Sequence, residues 1–483
     1  MSGDQGRTTI IYFLSQVGTT VAGFAATWYI NDVLGAGAYG AYSTAVAFLF
    51  WLNIPASAIG SAVNKRMSEG REPAAFLSAG QLLNFAVHAA LVAGLLVFRE
   101  QVNVFVGEEV GGFFALLVAA RAVFDLAISS LRGSKQVAAS GVAKALASFA
   151  QSGIHIGSLF FLGVGVAGLV LGQAVALVLA TVAALSVLTT APGRPDREHF
   201  DGLLEYARYS WVGTLKTRAF AWTDIMMMRG LSLSIVGLAA VTQDQIGIYN
   251  VSWTLASALA LVSIAIKQTL FPELSELGVD DDYERIHHFL NEGLALTGIF
   301  AIPGLFGAVV VGDTLLTVFG PEYAAGGTIL VILIGARLFA AYAEQLLNVI
   351  NGVDRPDVAL RVNVVYIAVN LVSNAALITL FGWYGAAVAT TLSSVVAVVA
   401  AGFALSRLVG APDIPYRDIG AQVAASAVML GVVSVADTAT PDTLAWTLAV
   451  VAVGAGVYGI ALLGLSARVR RKAVAALPAR FRP

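Results

Sequence analysis

Tyr209-Ser-Trp-Val-Gly-Thr-Leu-Lys216-Thr-Arg218-Ala-Phe-Ala-Trp222-Thr-Asp224 opens an apolar stretch with two cations and a carboxylate set inside it. The chain then turns at Gln245-Ile-Gly-Ile-Tyr249, runs on through Asn250-Val-Ser-Trp-Thr-Leu-Ala-Ser257 and stops at Phe271-Pro-Glu-Leu-Ser-Glu276. Apolar segments of this length cross a bilayer. Charge inside one costs roughly 2.5–3.5 kcal/mol on insertion scales, so it needs a reason. The surrounding sequence agrees with a membrane setting. The 483 residues are 58% hydrophobic and 12% charged, against about 25% charged in soluble proteins.

Working outward, apolar runs recur to the end of the chain. Fourteen spans are expected, at 9–30, 41–63, 76–98, 110–131, 139–162, 165–190, 209–230, 246–269, 287–311, 325–349, 359–381, 384–406, 418–436 and 444–466. Backbone groups in lipid must be satisfied internally, which leaves helices or a closed barrel. No alternating ten-residue strand pattern is visible, so the expected fold class is an all-α polytopic membrane protein. Met1–Arg7 is polar, and Ser15, Gln16, Thr19 and Thr20 interrupt the first run, unlike a cleavable signal. There is no cysteine, which removes disulfides, thiolate metal sites and thiol nucleophiles. Pro55 and Pro303 are expected to kink their spans.

Orientation follows from the basic residues in the links. With the N-terminus inside, twenty Lys and Arg fall in inner links and the tail, and two, Arg99 and Arg229, fall outside. This predicts a multi-pass protein of the cytoplasmic membrane with both termini cytoplasmic. Two six-span halves also overlay. Gly40-Ala-Tyr42 opens span 2 as Gly247-Ile-Tyr249 opens span 8. Val104-Phe-Val-Gly-Glu108 matches Val318-Phe-Gly-Pro-Glu322, Gly133 matches Gly352, and Gly165-Val-Ala167 matches Gly385-Ala-Ala387, at offsets of 207–220. The expected organisation is two pseudo-symmetric six-helix bundles, 1–190 and 209–408, with a linker at 191–208 and two extra helices with a basic tail at 409–483. An even-numbered repeat of this kind places the substrate path between its halves.

The deep charges are Arg121 and Asp125 in span 4, Lys216, Arg218 and Asp224 in span 7, and Arg337 and Glu344 in span 10. Arg121 and Asp125 are four residues apart and share a helix face. Arg337, Ala341, Glu344 and Asn348 also form one stripe. Each pair is compatible with a structural ion pair and with a cavity role. Lys216 and Arg218 point about 200° apart, so they cannot share one face. The cations outnumber the acids, and a cavity with spare guanidinium groups suits phosphate or carboxylate. Lys144 and Lys267 are read as snorkelling to the headgroups. Gln151, Gln173, Asn370 and Asn374 suit sugar hydroxyls or helix-to-helix bonds. Trp222 reads as an interfacial aromatic, and His287-His288 as a solvated face. No metal, phosphate-loop, dinucleotide or nucleophile-elbow motif occurs in context. Neither a cofactor, nor an enzymatic reaction, nor a nucleic-acid partner is expected.

Leu34-Gly-Ala-Gly-Ala-Tyr-Gly40, Ile246-Gly-Ile-Tyr249-Asn, Phe271-Pro-Glu-Leu-Ser275, Phe319-Gly-Pro-Glu-Tyr323 and Asn351-Gly352 together resemble the polysaccharide transporter family. These are O-antigen-type lipid-linked oligosaccharide flippases of the multidrug/oligosaccharidyl-lipid/polysaccharide superfamily. The resemblance implies two six-helix bundles around a V-shaped cavity and transbilayer movement of a polyprenyl- or dolichyl-phosphate-linked glycan. It also implies that cavity cations hold the phosphate, a role carried to Arg121, Lys216, Arg218 and Arg337. The expected partners are the lipid-linked oligosaccharide and membrane lipids. H+ or Na+ and glycan-assembly enzymes are further partners the resemblance allows. The alternative is a cation-coupled multidrug exporter, with Asp125, Asp224 or Glu344 as coupling acids. Such exporters commonly carry an acid within the first span; here Asp32 lies only at its outer end.

Overall fold

The computed structural model describes residues 3–234, 241–259, 283–439 and 443–476; these form helices joined by short links, with no strand among them. In chain order the helices are α1 (Gly3–Leu52), α2 (Ile54–Ser68), α3 (Pro73–Val97), α4 (Arg99–Val106), α5 (Gly111–Gly133), α6 (Val137–Leu162), α7 (Val166–Ser186), α8 (Arg197–Ser234) and α9 (Gln243–Ala258). There follow α10 (Tyr283–Thr297), α11 (Ala301–Leu316), α12 (Gly327–Gly352), α13 (Pro356–Phe381), α14 (Trp383–Leu408), α15 (Tyr416–Ala439), α16 (Leu444–Leu465) and α17 (Ala467–Ala476). Eleven stretches among the described residues are long and apolar enough to span a membrane. They coincide with expected spans 3–6 and 9–14, and the first of them, in α1, takes in parts of spans 1 and 2, the rest of span 2 falling in α2. Expected span 7 falls within α8, with the side chains of residues 209–220 outside the described residues; the end of expected span 8, with Lys267, and the Phe271-Pro-Glu motif after it also lie outside them.

The chain divides into two compact units, one built from Met1–Ser234 with Thr242–Gly247 and the other from the remainder. In the first unit, α1 joins two spans through a single non-helical residue, Gly35, at φ 77° and ψ 175°. A side chain would be strained there. The second breaker is Asn53, the N-cap of α2, with Pro55 in that helix's first turn. A proline costs little at that position, so the kink expected at Pro55 takes the form of a helix end and a new start. The link before α8 is pinned to α3. Gly193 donates its N–H to the Ala74 carbonyl and to Ser78 Oγ, each at 3.0 Å. His199 Nε2 lies 3.0 Å from Glu72 Oε2. Helix α8 packs on α1, α2 and α3.

Lipid tails are as apolar as leucine, so helices in a membrane associate through close packing rather than through water exclusion. The first unit follows that rule. A Cβ on Gly60 would lie 2.6 Å from Ser129 Oγ, and one on Gly133 would lie 2.7 Å from Met67 Cβ, so α2 lies directly on α5. Ile59, Val63 and Met67 of α2, Leu77 of α3, Leu126 of α5 and Leu203 of α8 close the gaps around this seam.

The two copies of the glycine–tyrosine turn meet each other inside this unit. A Cβ on Gly40 would lie 1.8 Å from the Gln243 carbonyl oxygen, and one on Gly247 would lie 2.1 Å from the Ala36 carbonyl oxygen. Thr44 Oγ1 lies 3.3 Å from Gln243 Oε1, and Gln243 Nε2 donates to the Val106 carbonyl at 2.6 Å. Arg229 donates to the carbonyls of Val104 and Phe105 at 2.7 and 2.6 Å, which caps the end of α4.

In the second unit, α14 lies against both α12 and α13. Leu346, Leu347 and Ile350 of α12 pack with Leu290 and Leu294 of α10 and Leu405 of α14. A second cluster joins Val311 of α11 to Met429 and Val433 of α15 and to Val450 and Leu462 of α16. His287, read from sequence as part of a solvated face, is half-buried and donates Nε2–H to the Val409 carbonyl at 2.7 Å; His288 is exposed.

Candidate functional site

Helix α5 carries a stripe that begins with Arg121 and continues through Asp125, Ser129 and Arg132. These positions fall near one face at 3.6 residues per turn. Helix α6 presents Lys144, Ser148 and Gln151 at the matching period. The two stripes, with Ser57 of α2, line one cavity of about 450 Å³ in the first unit. Three cations and one carboxylate line it.

The carboxylate takes two donors on one oxygen. Arg121 Nε donates to Asp125 Oδ2 at 3.0 Å, and Asn53 Nδ2 donates to the same oxygen at 2.6 Å. Asn53 reaches it because α1 ends and α2 begins there. The Arg121 guanidinium carbon also lies 4.9 Å from the centre of the Phe50 ring. Phe50 in turn stacks on Trp222 of α8, at 5.0 Å and 24° between planes. Trp222 thus backs the Arg121 site through Phe50. With Asp125 held by Arg121 and Asn53, the charges of Arg132 and Lys144 dominate the far end of the cavity. Both side chains are exposed to it or to solvent. An ammonium and a guanidinium side by side suit an anion with several oxygens.

A polar network backs the cavity. Gln151 Nε2 donates to the Tyr42 hydroxyl at 3.2 Å, and that hydroxyl donates to Gln173 Oε1 at 3.0 Å. The two glutamines therefore bond α6 and α7 to α1. Asn84 likewise donates to the Ala122 carbonyl at 3.2 Å, joining α3 to α5. His155 Nε2–H donates to the Leu169 carbonyl, and His88 Nδ1 lies against its own helix's Asn84 carbonyl, each at 2.9 Å.

The remaining sequence-derived residues fall elsewhere. Asp224 is buried in α8, in the first unit. The side chains of Lys216 and Arg218 lie outside the described residues. Arg337 belongs to the second unit, where its guanidinium carbon lies 5.3 Å from the centre of the Trp253 ring. On the same α12 stripe, Ala341 and Asn348 are buried and Glu344 is half-buried. Of the two expected cavity cations whose side chains are described, Arg121 and Arg337, the 450 Å³ cavity holds Arg121 and joins it to Arg132 and Lys144. Sequence reasoning puts Arg132 in an inner link and Lys144 at a snorkelling position. Their periodicity with Arg121 and with Gln151 is the signal that could have found them.

Residues 34–325 match the family described as "Polysaccharide biosynthesis protein". The chain belongs to this family. Among curated relatives, "Probable flippase AglR" of Haloferax volcanii is 31% identical, covering 96% of this chain and 97% of its own length. "Probable low-salt glycan biosynthesis flippase Agl15" of the same organism is 26% identical, with 89% of each chain covered. Among solved structures, a lipid II flippase MurJ in an inward closed conformation aligns at TM-score 0.80 and 15% identity, covering 94% of this chain and 98% of its own. An inward-facing multidrug resistance MATE transporter of the MOP superfamily aligns at TM-score 0.65 and 12% identity, covering 80% and 95%. The fold is thus similar to that of a solved transporter of the MOP superfamily.

Proposed function

We propose that this member of the polysaccharide biosynthesis family is a flippase. It moves a lipid-linked oligosaccharide across the cell membrane, by alternating access, for surface glycan synthesis. The observation that carries the reading is 31% identity to a probable flippase over nearly the full length of both chains. The cationic cavity is consistent with it, because the group common to such substrates is a phosphate ester on a polyprenyl or dolichyl carrier. In this reading Arg121, Arg132 and Lys144 receive the phosphate and the first sugar. Lys216, Arg218 and Arg337 are further candidates along the path. The carrier is a transporter, not an enzyme. Both termini lie on the cytoplasmic side, and two six-helix bundles with two added C-terminal helices make up the chain.

The test is export in a cell lacking its own flippase for one glycan. Expression of this chain restores surface glycan, and without it the lipid-linked sugar accumulates inside. A chain that reaches the membrane and leaves the intermediate trapped counts against the proposal. Cation-coupled drug export through Asp125, Asp224 or Glu344 is the competing reading. It rests on likeness of fold alone, and dye efflux that collapses with a proton or sodium gradient would support it.

A further inference from the structure

Expected span 9 is built in two pieces, α10 and α11, separated between Thr297 and Ala301. Backbone carbonyls lose their helical partners at this gap, those of Ala295 and Ile299 among them. The Ile299 N–H, which would serve the Ala295 carbonyl, turns instead to the Leu296 carbonyl at 3.2 Å. The Ile299 carbonyl looks toward residue 303, a proline with no N–H to give. Unmet carbonyls are costly in lipid, so such a gap persists only where protein supplies other donors.

The two C-terminal helices supply a donor to each of these two carbonyls. Gln422 Nε2, from α15, donates to the Ala295 carbonyl at 2.6 Å. The Tyr458 hydroxyl, from α16, donates to the Ile299 carbonyl at 2.9 Å. Gln422 is 1% exposed and Tyr458 7%. Gly298 has no side chain at the point where Gln422 packs, since a Cβ there would lie 2.8 Å from Gln422 Oε1. The middle of α10 is tied down by the same C-terminal segment. Arg468 of α17 pairs with Asp418 at 3.3 Å and donates to Asn291 Oδ1 at 2.7 Å, and Lys472 pairs with Glu292.

We propose that the C-terminal helices are a brace that keeps this span in two pieces, and that the gap is a working joint of the transport cycle. Gln422 and Tyr458 stand in for the N–H donors that the gap takes from the Ala295 and Ile299 carbonyls. The joint rests on the flippase reading; the brace does not.

The experiment compares Y458F, P303A and the double variant in the full chain, by melting temperature in detergent and by export in the complemented strain. Y458F leaves the Ile299 carbonyl unmet and lowers the melting temperature by several degrees. Adding P303A restores an N–H beneath that carbonyl and returns most of the loss. If Y458F fails to accumulate, recovery of accumulation on adding P303A reads the same coupling. P303A alone melts at or above the wild-type temperature while export falls several-fold, an effect that a merely structural brace would not produce. Equal Y458F losses with and without P303A overturn the brace. P303A exporting at the wild-type rate, or melting below it, overturns the joint. A wild-type chain that shows the coupling but restores no export refutes the flippase reading and leaves the brace standing.

Discussion

Gly40 and Gly247 pack backbone to backbone: a Cβ on Gly40 would lie 3.0 Å from the Gly247 nitrogen, and one on Gly247 3.1 Å from the Gly40 nitrogen. The relationship is reciprocal down to the flanking carbonyls of Gln243 and Ala36, so a side chain on either residue meets main chain, which cannot rotate away. Gly40→Ala or Gly247→Ala is therefore expected to destabilise by about 1–3 kcal/mol or more, the cost of overpacking a close seam. Gly23 is the internal control, because nothing lies within 4 Å of its added Cβ. Gly23→Ala is expected to be neutral or stabilising by up to about 1 kcal/mol through helix propensity. Thermal melts of the three purified variants check this, and equal melts for all three would contradict it.

Asp125 is the single acceptor for Arg121 and Asn53, both at the same oxygen. Asp125→Asn keeps the shape but removes the charge that balances Arg121. Arg121 and Asp125 are only about one-fifth exposed, at 20% and 17%. The loss is thus expected to be about 1.5–3 kcal/mol, the range for a hydrogen bond to a charged group. Arg121→Gln made together with Asp125→Asn removes both charges and should cost less than the sum of the singles. A double-mutant cycle on melting temperature measures that coupling, and strict additivity would show that the pair does not act as one unit.

The features of this fold that can be read from sequence are those written in periodic form. Apolar runs place the spans, and the i, i+4 spacing by itself places Arg121 over Asp125. The glycine–tyrosine repeat is also visible, but its mutual contact is not, since it joins residues 207 apart in the chain. Arg132 is hidden by its position at a helix end, where it reads as a link residue. The α5 stripe carries it into the cavity nonetheless. Lys144 is hidden because a long flexible stem fits snorkelling equally well, and only the facing helix decides between the two. Asn53 cannot be found at all, because its role depends on a helix ending there, and apolar composition does not mark that end. The gap between Thr297 and Ala301 is half legible: Pro303 signals a lost bond, but not that Tyr458 replaces it.

Arg132 and Lys144 face the cavity without an acid of their own within it. Lys144→Met and Arg132→Met are expected to leave the melting temperature nearly unchanged, because the side chains are exposed. Surface changes away from packing features usually stay within about 0.5 kcal/mol. Export should fall in each variant and fall further in the double, with a steeper dependence on substrate level. A charge-preserving Lys144→Arg should retain most export. Full export by the double Met variant would remove this end of the cavity from the substrate path.

Tyr42 ties three helices together through one oxygen, which accepts from Gln151 at 3.2 Å and donates to Gln173 at 3.0 Å. Its ring also meets His155 edge-on, at 5.5 Å and 89°. Tyr42→Phe keeps that ring contact and strips two amides of a shared partner. Gln173 is buried, so the expected cost is about 1–3 kcal/mol, the penalty of leaving a buried polar group unmet. Replacing the amides as well, as Tyr42→Phe with Gln151→Leu and Gln173→Leu, leaves no polar atom to satisfy. That triple variant should recover most of the loss, since apolar substitution of all partners at similar volume can be nearly neutral. The two melts separate hydrogen bonding from packing: recovery in the triple assigns the loss to the unmet amides, whereas a further fall assigns it to the fit of the side chains between α1, α6 and α7.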